Sequence, residues 1–410
     1  MKRTFPLAVV IALLASCAFA AGPKPVVAYT FACKGDPSLM VGTCPEGNVP
    51  NSLIQGSDGN FYGTAEFSAS GETSRSAGTV FSLTPAGKFT LLHTFVANAK
   101  GMFANGASPT SLTEGPDGKL YGLASGGNGV LFRIGENGTG FRVIHRFCSA
   151  ANCSDGSVPA GVLAVGKDGS IYGATTYGGT GCSGVGCGTI FRVTPSSGAY
   201  AVLGTFSSDI MGFPDGLTPA SDGTFYGLTA NGTSLFHFVP ADGDLQSMTL
   251  PFPFPSGCPG FACFATGVLA FGPNGNLYGL YTVYDTGGSG LFELETDGSH
   301  LQLYPEYNST LSGGGPVELL LASDGNFWIP DSTGGGSGNG DIVALSPSEG
   351  KVLQAIAPFS TSAAVGASPS WLMQDANGAL WGTTSAYGIV PKGEFGGGTV
   401  FSLDAGLPPR

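Results

Sequence analysis

Asp58-Gly59-Asn60-Phe61-Tyr62 is the stretch that decides the fold, because its pattern returns six more times. The later copies are Asp117-Gly118-Lys119-Leu120-Tyr121, Asp168-Gly169-Ser170-Ile171-Tyr172, Asp222-Gly223-Thr224-Phe225-Tyr226 and Asn274-Gly275-Asn276-Leu277-Tyr278. Asp324-Gly325-Asn326-Phe327-Trp328 and Asn377-Gly378-Ala379-Leu380-Trp381 complete the set. Successive aromatics stand 59, 51, 54, 52, 50 and 53 residues apart. Nine residues before each comes a leucine: Leu53, Leu112, Leu163, Leu217, Leu269, Leu319 and Leu372. Asp-Gly and Asn-Gly favour two-residue hairpin connections, since both residues tolerate positive φ. Each copy therefore predicts a hairpin of two short strands, A holding the leucine and B the aromatic.

Downstream of each aromatic a further apolar run predicts strand C, clearest in Gly78-Thr79-Val80-Phe81, Gly188-Thr189-Ile190-Phe191 and Gly398-Thr399-Val400-Phe401. A fourth segment, D, often ends in phenylalanine: Phe95, Phe147, Phe206 and Phe359. Four strands in a period of roughly 50 residues mark a β-propeller blade. One four-stranded sheet has two faces to bury, and stacking around an axis buries both. The seventh unit stops at Leu403 without a D strand, while Val26-Val27-Ala28-Tyr29-Thr30-Phe31 matches D strands such as Leu91-Leu92-His93-Thr94-Phe95. The expectation is an all-β, seven-bladed propeller of four-stranded blades over 21–404, closed by its N-terminal strand, with a short tail at 405–410.

Composition agrees. The 410 residues include 69 Gly and 28 Pro, only 11% are charged and 42% are hydrophobic. That excludes disordered, coiled-coil and collagen-like chains. Sixteen basic against 28 acidic residues give a net charge of −12, so nucleic acid and anionic lipid surfaces are not expected as partners.

Residues 1–20 read as an export signal: Lys2 and Arg3, then an apolar run from Phe5 to Leu14 too short to span a bilayer. Two processing readings stand open. Ala18-Phe19-Ala20 is a small-x-small cleavage site, whereas Leu14-Ala15-Ser16-Cys17 resembles a lipobox that would make Cys17 a lipidated first residue. An exported, secreted, periplasmic or cell-surface protein follows, touching a membrane only through such a lipid. The other eight cysteines fall into local pairs: Cys33 with Cys44, Cys148 with Cys153, Cys182 with Cys187 and Cys258 with Cys263. An even, paired set behind an export signal predicts disulfides rather than zinc.

The repeats resemble the GloVer tandem repeat of bacterial "choice-of-anchor" envelope proteins. The resemblance rests on Asp58-Gly59-Asn60-Phe61-Tyr62-Gly63-Thr64, on the Gly-Thr-Val-Phe runs at 78–81 and 398–401, and on Tyr172-Gly173-Ala174-Thr175 with Gly188-Thr189-Ile190-Phe191. Blades four to six depart from it: Thr233-Ser234-Leu235-Phe236 lacks the glycine, and Ile329 replaces the glycine after Trp328. The resemblance implies an exported propeller and carries over no catalytic residue.

In a propeller the D-to-A and B-to-C connections share one face, and all four cysteine pairs map to it. Ligand-binding candidates on this face are Glu66, Phe67, Tyr177, Asp215, Tyr284, Asp285, Asp331, Trp371, Tyr387 and Glu394. Carboxylates there could form a hydrolase or lyase pair, and the aromatics suit stacking on sugars or peptides. No metal or cofactor is expected: each Asp-Gly turn holds one carboxylate, where calcium loops need several. His93, His145, His237 and His300 are dispersed over outer or edge strands, and no G-x-S-x-G elbow occurs. The leading expectation is a monomeric, non-enzymatic scaffold binding a glycan, peptide or envelope protein. A carbohydrate-active enzyme and a purely structural envelope protein are the alternatives.

Overall fold

The computed structural model describes residues 23–410 apart from 37–40, 68–76, 98–102, 183, 208–211, 230–233, 250–262, 284–288, 305–317, 334–337, 349–350, 357–358, 362–363 and 393. Seven antiparallel sheets form a ring, six of them built up-and-down from consecutive strands and the seventh from both ends of the chain. In blade one, strands A to D are Asn48–Gln55, Phe61–Phe67, Thr79–Leu83 and Phe89–Thr94. Blade seven takes Ala367–Gln374, Leu380–Ala386 and Glu394–Leu403 from the end of the chain and Val26–Asp36 from its beginning. Val26 lies opposite Ser402 and Thr30 opposite Thr399, which closes the ring as the orphan strand predicted. The closing strand runs on to Lys34 opposite Glu394, then folds back as a fifth strand, Val41–Thr43.

The repeated turn differs in detail from the expected two-residue connection. Gly59 N–H donates to the Gly56 carbonyl and Gly56 N–H to the Asn60 carbonyl, a three-residue loop with only Gly59 at positive φ, +82°. Asp58 has another task. Its carboxylate accepts the Asn60 N–H at 2.9 Å and the Tyr62 hydroxyl at 2.8 Å. Asp117–Tyr121 and Asp168–Tyr172 repeat the second bond at 3.1 and 3.0 Å. The turn aspartate thus satisfies the one polar atom that the buried tyrosine carries into the core.

The core lies between blades. Every repeat leucine and every repeat aromatic is buried, from 0 to 7% exposed. The glycine after each B-strand tyrosine makes room for the phenylalanine of strand C. A Cβ on Gly63, Gly122, Gly173, Gly227 or Gly279 would sit 2.3 Å from that ring. Blade six breaks the rule on both sides at once. Ile329 replaces the glycine, and its partner across the sheet is Val343 instead of phenylalanine. Volume is kept, which cores tolerate best. At the outer edge, strands D of neighbouring blades stack rings: Tyr29 on Phe89 at 4.3 Å, His93 on Phe141 at 3.6 Å and His145 on Tyr200 at 3.6 Å. His237 departs from the outer-strand expectation, lying in strand C of blade four, and His300 stands in the turn before a D strand.

A second recurring contact clamps the inner strands. Ser108, Val158, Phe213 and Ser368 each precede a proline at or near the start of strand A, and each has positive φ, between 51 and 69°. Their N–H groups donate to Ala77, Asn128, Cys187 and Asn339 of the preceding blade at 2.7–2.9 Å. The residue after each acceptor is a glycine at positive φ: Gly78, Gly129, Gly188 or Gly340. A Cβ on these glycines would fall 2.2–2.6 Å from the proline ring of the next blade. Gly398 meets Pro50 in the same way at the closing seam. The pattern lapses in blade five, whose strand A, Cys263–Phe271, contains no proline.

Gly129→Ala tests this clamp. It adds left-handed strain of about 1–2 kcal/mol to an overpacking cost of about 1–3 kcal/mol against Pro159. Gly118→Ala, at φ +65° with open space around it, should show the strain alone. Denaturant unfolding should therefore rank Gly129→Ala as clearly the more destabilised; equal losses would mean that the proline contact contributes nothing.

Candidate functional site

Three of the four cysteine pairs are bonded: Cys33–Cys44, Cys148–Cys153 and Cys182–Cys187. The Cys258–Cys263 pairing falls outside the described residues. Disulfides point to an oxidising compartment. Among the described residues no helix is long and apolar enough to cross a membrane. The Cys148–Cys153 loop is wound around Asp155, whose carboxylate accepts Ser149 N–H at 3.0 Å, Ser149 hydroxyl at 2.6 Å and Ala150 N–H at 3.2 Å. Burial alone would raise this carboxyl, but those bonds outweigh it and hold it below the usual range. His145 Nε2 lies 3.1 Å from the same carboxylate, yet burial dominates and keeps the imidazole below its ordinary pKa. Ser149 and His145 both address Asp155, and no serine–histidine bond forms, so the trio is a loop brace and not a nucleophilic triad.

That brace forms one wall of a cleft of about 750 Å³ between blades two and three. Gly179 N–H donates to the Cys153 carbonyl at 2.9 Å, which ties the Cys182–Cys187 loop to the Cys148–Cys153 loop. The cleft lies between these two stapled loops. Asn128, Asn152, Ser154, Ser157, Tyr177 and Thr180 supply its polar groups, with Val158 and Val185 as apolar patches. Among the described residues no charged side chain lines it. Tyr177 is 38% exposed and braced edge-on by Phe213, ring centres 5.5 Å apart. The result is a rigid, neutral, hydroxyl- and amide-lined recess with one presented aromatic ring.

The other candidates are spread around the ring. Glu66 and Phe67 end strand B of blade one, and burial raises the Glu66 carboxyl. Asp215 precedes strand A of blade four, its backbone carbonyl against Gly161 of blade three, and burial pushes its carboxyl up to about 6. Asp331 ends strand B of blade six, almost fully buried, and accepts the Thr333 N–H at 3.0 Å. Tyr387, 37% exposed, follows strand B of blade seven, and Glu394 opens its strand C opposite Lys34. Trp371 lies in strand A of blade seven and donates its indole N–H to the Leu53 carbonyl of blade one at 2.8 Å. Tyr284 and Asp285 lie outside the described residues. Of the candidates among the described residues, only Tyr177 lines the cleft.

Sequence reasoning missed Glu318. It stands one residue before the repeat leucine of blade six, where its carboxylate accepts the Leu372 N–H of blade seven at 2.9 Å. It is half-buried, and burial pushes its carboxyl up to about 8. Trp371 holds the equivalent place one blade on, so both side chains reach forward to the next inner strand. The signal in the sequence was an acid beside a core leucine in an inner strand. The described residues hold no group of three or more His, Cys, Asp or Glu suited to a metal ion.

A closed ring of seven blades with a disulfide-framed loop face defines a β-propeller stabilised for an oxidising compartment. The profile of the Gloeobacter/Verrucomicrobia repeat matches residues 40–251, and the chain belongs to that family. No curated protein matches the chain. Solved structures of similar fold include a catalytically inactive virginiamycin B lyase from Staphylococcus aureus, crystallised with quinupristin. It is 15% identical with a TM-score of 0.58, over 88% of this chain and 96% of that one. A streptogramin B lyase is 16% identical with a TM-score of 0.58, over 92% and 97%. The periplasmic gluconolactonase of Pseudomonas aeruginosa is 16% identical with a TM-score of 0.50, over 75% and 85%. At these identities the likeness is one of fold.

Glu318 yields a pH prediction. Folding raises its carboxyl from 4.5 to about 8, so the folded state keeps a proton that the unfolded chain gives up. The stability this confers is complete below the lower value and is lost as pH rises through the upper one. Glu318→Gln should match the parent in melting temperature at about pH 4 and exceed it at about pH 9. Two curves that stay parallel across that range would remove the buried-proton assignment.

Proposed function

We propose that the protein is an exported binding propeller whose loop face takes an uncharged glycan in the cleft between blades two and three. The observation that carries this reading is the neutral lining: amides, hydroxyls and one exposed tyrosine ring between disulfide-stapled walls. Sugars are bound by such sets, the ring covering the apolar face of a pyranose and the amides and hydroxyls meeting its hydroxyl groups. The walls are already bonded to each other, so little ordering opposes binding. Export, by either processing route at Ala20 or Cys17, fits the disulfides and places the cleft where polysaccharide is met.

A second reading, a carbohydrate-active hydrolase or lyase, has one observation in its favour. Asp215 and Glu318 both keep raised carboxyl pKa values, as a general acid requires. Neither lines the Tyr177 cleft.

Titration of the full chain with a panel of neutral oligosaccharides, with reducing-end release followed in parallel, tests both readings. Binding without release is expected, and Tyr177→Ala should weaken it about tenfold, the scale of one aromatic stacking contact. Product formation lost in Glu318→Gln or Asp215→Asn would overturn the binding-scaffold reading in favour of the enzyme. Binding indifferent to Tyr177→Ala would displace the site from this cleft.

A further inference from the structure

The turn face, opposite the cleft, carries a seam between every pair of blades, and one seam already holds a peptide. Residues 404–410 run into the seam between blades six and seven. The Pro408 carbonyl accepts the Ser323 hydroxyl at 2.5 Å and the Gln374 amide at 3.1 Å. Ala405 and Leu407 pack on the cluster that contains Ala322, Trp328 and Leu372. Gly378 is covered, its missing Cβ position being 2.3 Å from the Leu407 carbonyl. The seat therefore consists of the serine of one turn, the glycine of the next turn and apolar walls between them.

Blades four and five repeat that seat, with no segment of the described residues lying in it. Thr218 pairs with Tyr226 as Leu320 pairs with Trp328, which makes Ala220 and Ser221 the counterparts of Ala322 and Ser323. The turns at Gly275 and Gly378 close with the same bond, so Gly275 corresponds to Gly378 and Phe271 to Gln374. Ala220, Ser221, Tyr226, Phe271 and Gly275 all line one groove of about 690 Å³, and nothing lies within 4 Å of where a Gly275 Cβ would be. Tyr226 and Phe271 stand edge to face in it, centres 5.8 Å apart.

Three other seams carry the chain's own side chains across them. Glu114 takes both the N–H and the hydroxyl of Ser57 between blades one and two. Gln55 takes the Ala376 N–H between blades seven and one. Lys167 stands where Ser221 does and lies 3.3 Å from the Gly223 Cβ position between blades three and four. Phe271 has no polar atom to offer Ser221, so at this seam the serine's donors meet no side chain across the groove among the described residues.

We propose that the groove between blades four and five binds an extended, proline-containing segment of another polypeptide. Ser221 donates to a backbone carbonyl, and leucine and proline side chains lie on Tyr226 and Phe271. Proline supports this mode because its extended conformation is preformed and its ring packs on aromatics. This chain's own tail is not the occupant, since it is already seated at the equivalent place two blades away.

The probe is a fluorescent peptide of the tail sequence, Gly-Leu-Pro-Pro-Arg, titrated into the full chain and followed by anisotropy. Saturable binding is expected, unchanged in Ser323→Ala. Ser221→Lys, which installs the plug that blade three carries naturally, should weaken it about tenfold or more, the scale of a lost anchor. A peptide with both prolines replaced by alanine should lose affinity similarly. Ser221 is exposed in a turn, so an unchanged melting temperature confirms that Ser221→Lys folds. No saturable binding, indifference to Ser221→Lys, or loss in Ser323→Ala (the peptide then only displacing the tail) would overturn the proposal. Concentration-dependent dimers that Ser221→Lys abolishes in sedimentation would also overturn it, by assigning the groove to a second copy.

Discussion

The ring depends on one contact repeated between inner strands: a proline of one blade set against a side-chain-free glycine of the blade before it, with a backbone hydrogen bond alongside. The glycine and the residue before the proline both occupy positive φ, which L-residues other than glycine adopt at a cost. The strained residue before each proline is held because its N–H finds a carbonyl across the seam, worth about 1 kcal/mol net. The same hydrogen bond fixes the depth at which one blade enters the next. Once that depth is set, the leucine and tyrosine of each repeat face the phenylalanines of their neighbours, and the outer strands come within stacking distance. The clamp thus works from the axis outward, and the histidine–aromatic pairs on strand D are its outermost consequence.

Much of this was readable because a propeller writes its contacts in register. The leucine, the turn dipeptide and the aromatic lie within ten residues of one another in every unit, so local chemistry repeated seven times exposes the fold. Closure by Val26–Phe31 was readable for the same reason: an orphan strand at each end has one place to go. The clamp went unread: its prolines Pro50, Pro109, Pro159, Pro214 and Pro369 do recur, but their partner glycines stand 26 to 31 residues earlier, or in Pro50's case at the far end of the chain. Proximity of that kind is created only by the ring.

The site was less legible, and particular residues show why. Tyr177 was readable as a loop-face residue because it ends strand B, and it lines the cleft. Trp371 has the same look in sequence, yet its indole reaches sideways to Leu53 instead of outward. Glu318 escaped notice because alternation assigns the residue before a core leucine to a polar surface, and an inner strand has none. In a radial stack both faces of the sheet meet another blade, so the polar-out half of the alternation rule fails nearest the axis. The acids that end up there, Asp215 and Glu318, carry the raised pKa values that desolvation imposes.

Net charge bears on what either face can meet. Acidic residues outnumber basic ones by 28 to 16, so an anionic polymer approaching any part of the surface meets net repulsion within a Debye length, about 8 Å at physiological ionic strength. The cleft between blades two and three adds no counter-charge to overcome it. On the proposed reading, selectivity at such a recess would come from hydrogen-bond geometry and ring stacking, and its stapled, cross-bonded walls would supply affinity through preorganisation in place of a long-range attraction. The turn-face groove is built differently, from two aromatic rings and a serine on otherwise short, regular turns. A ligand held there can be extended and soft, because the blades themselves supply the rigidity.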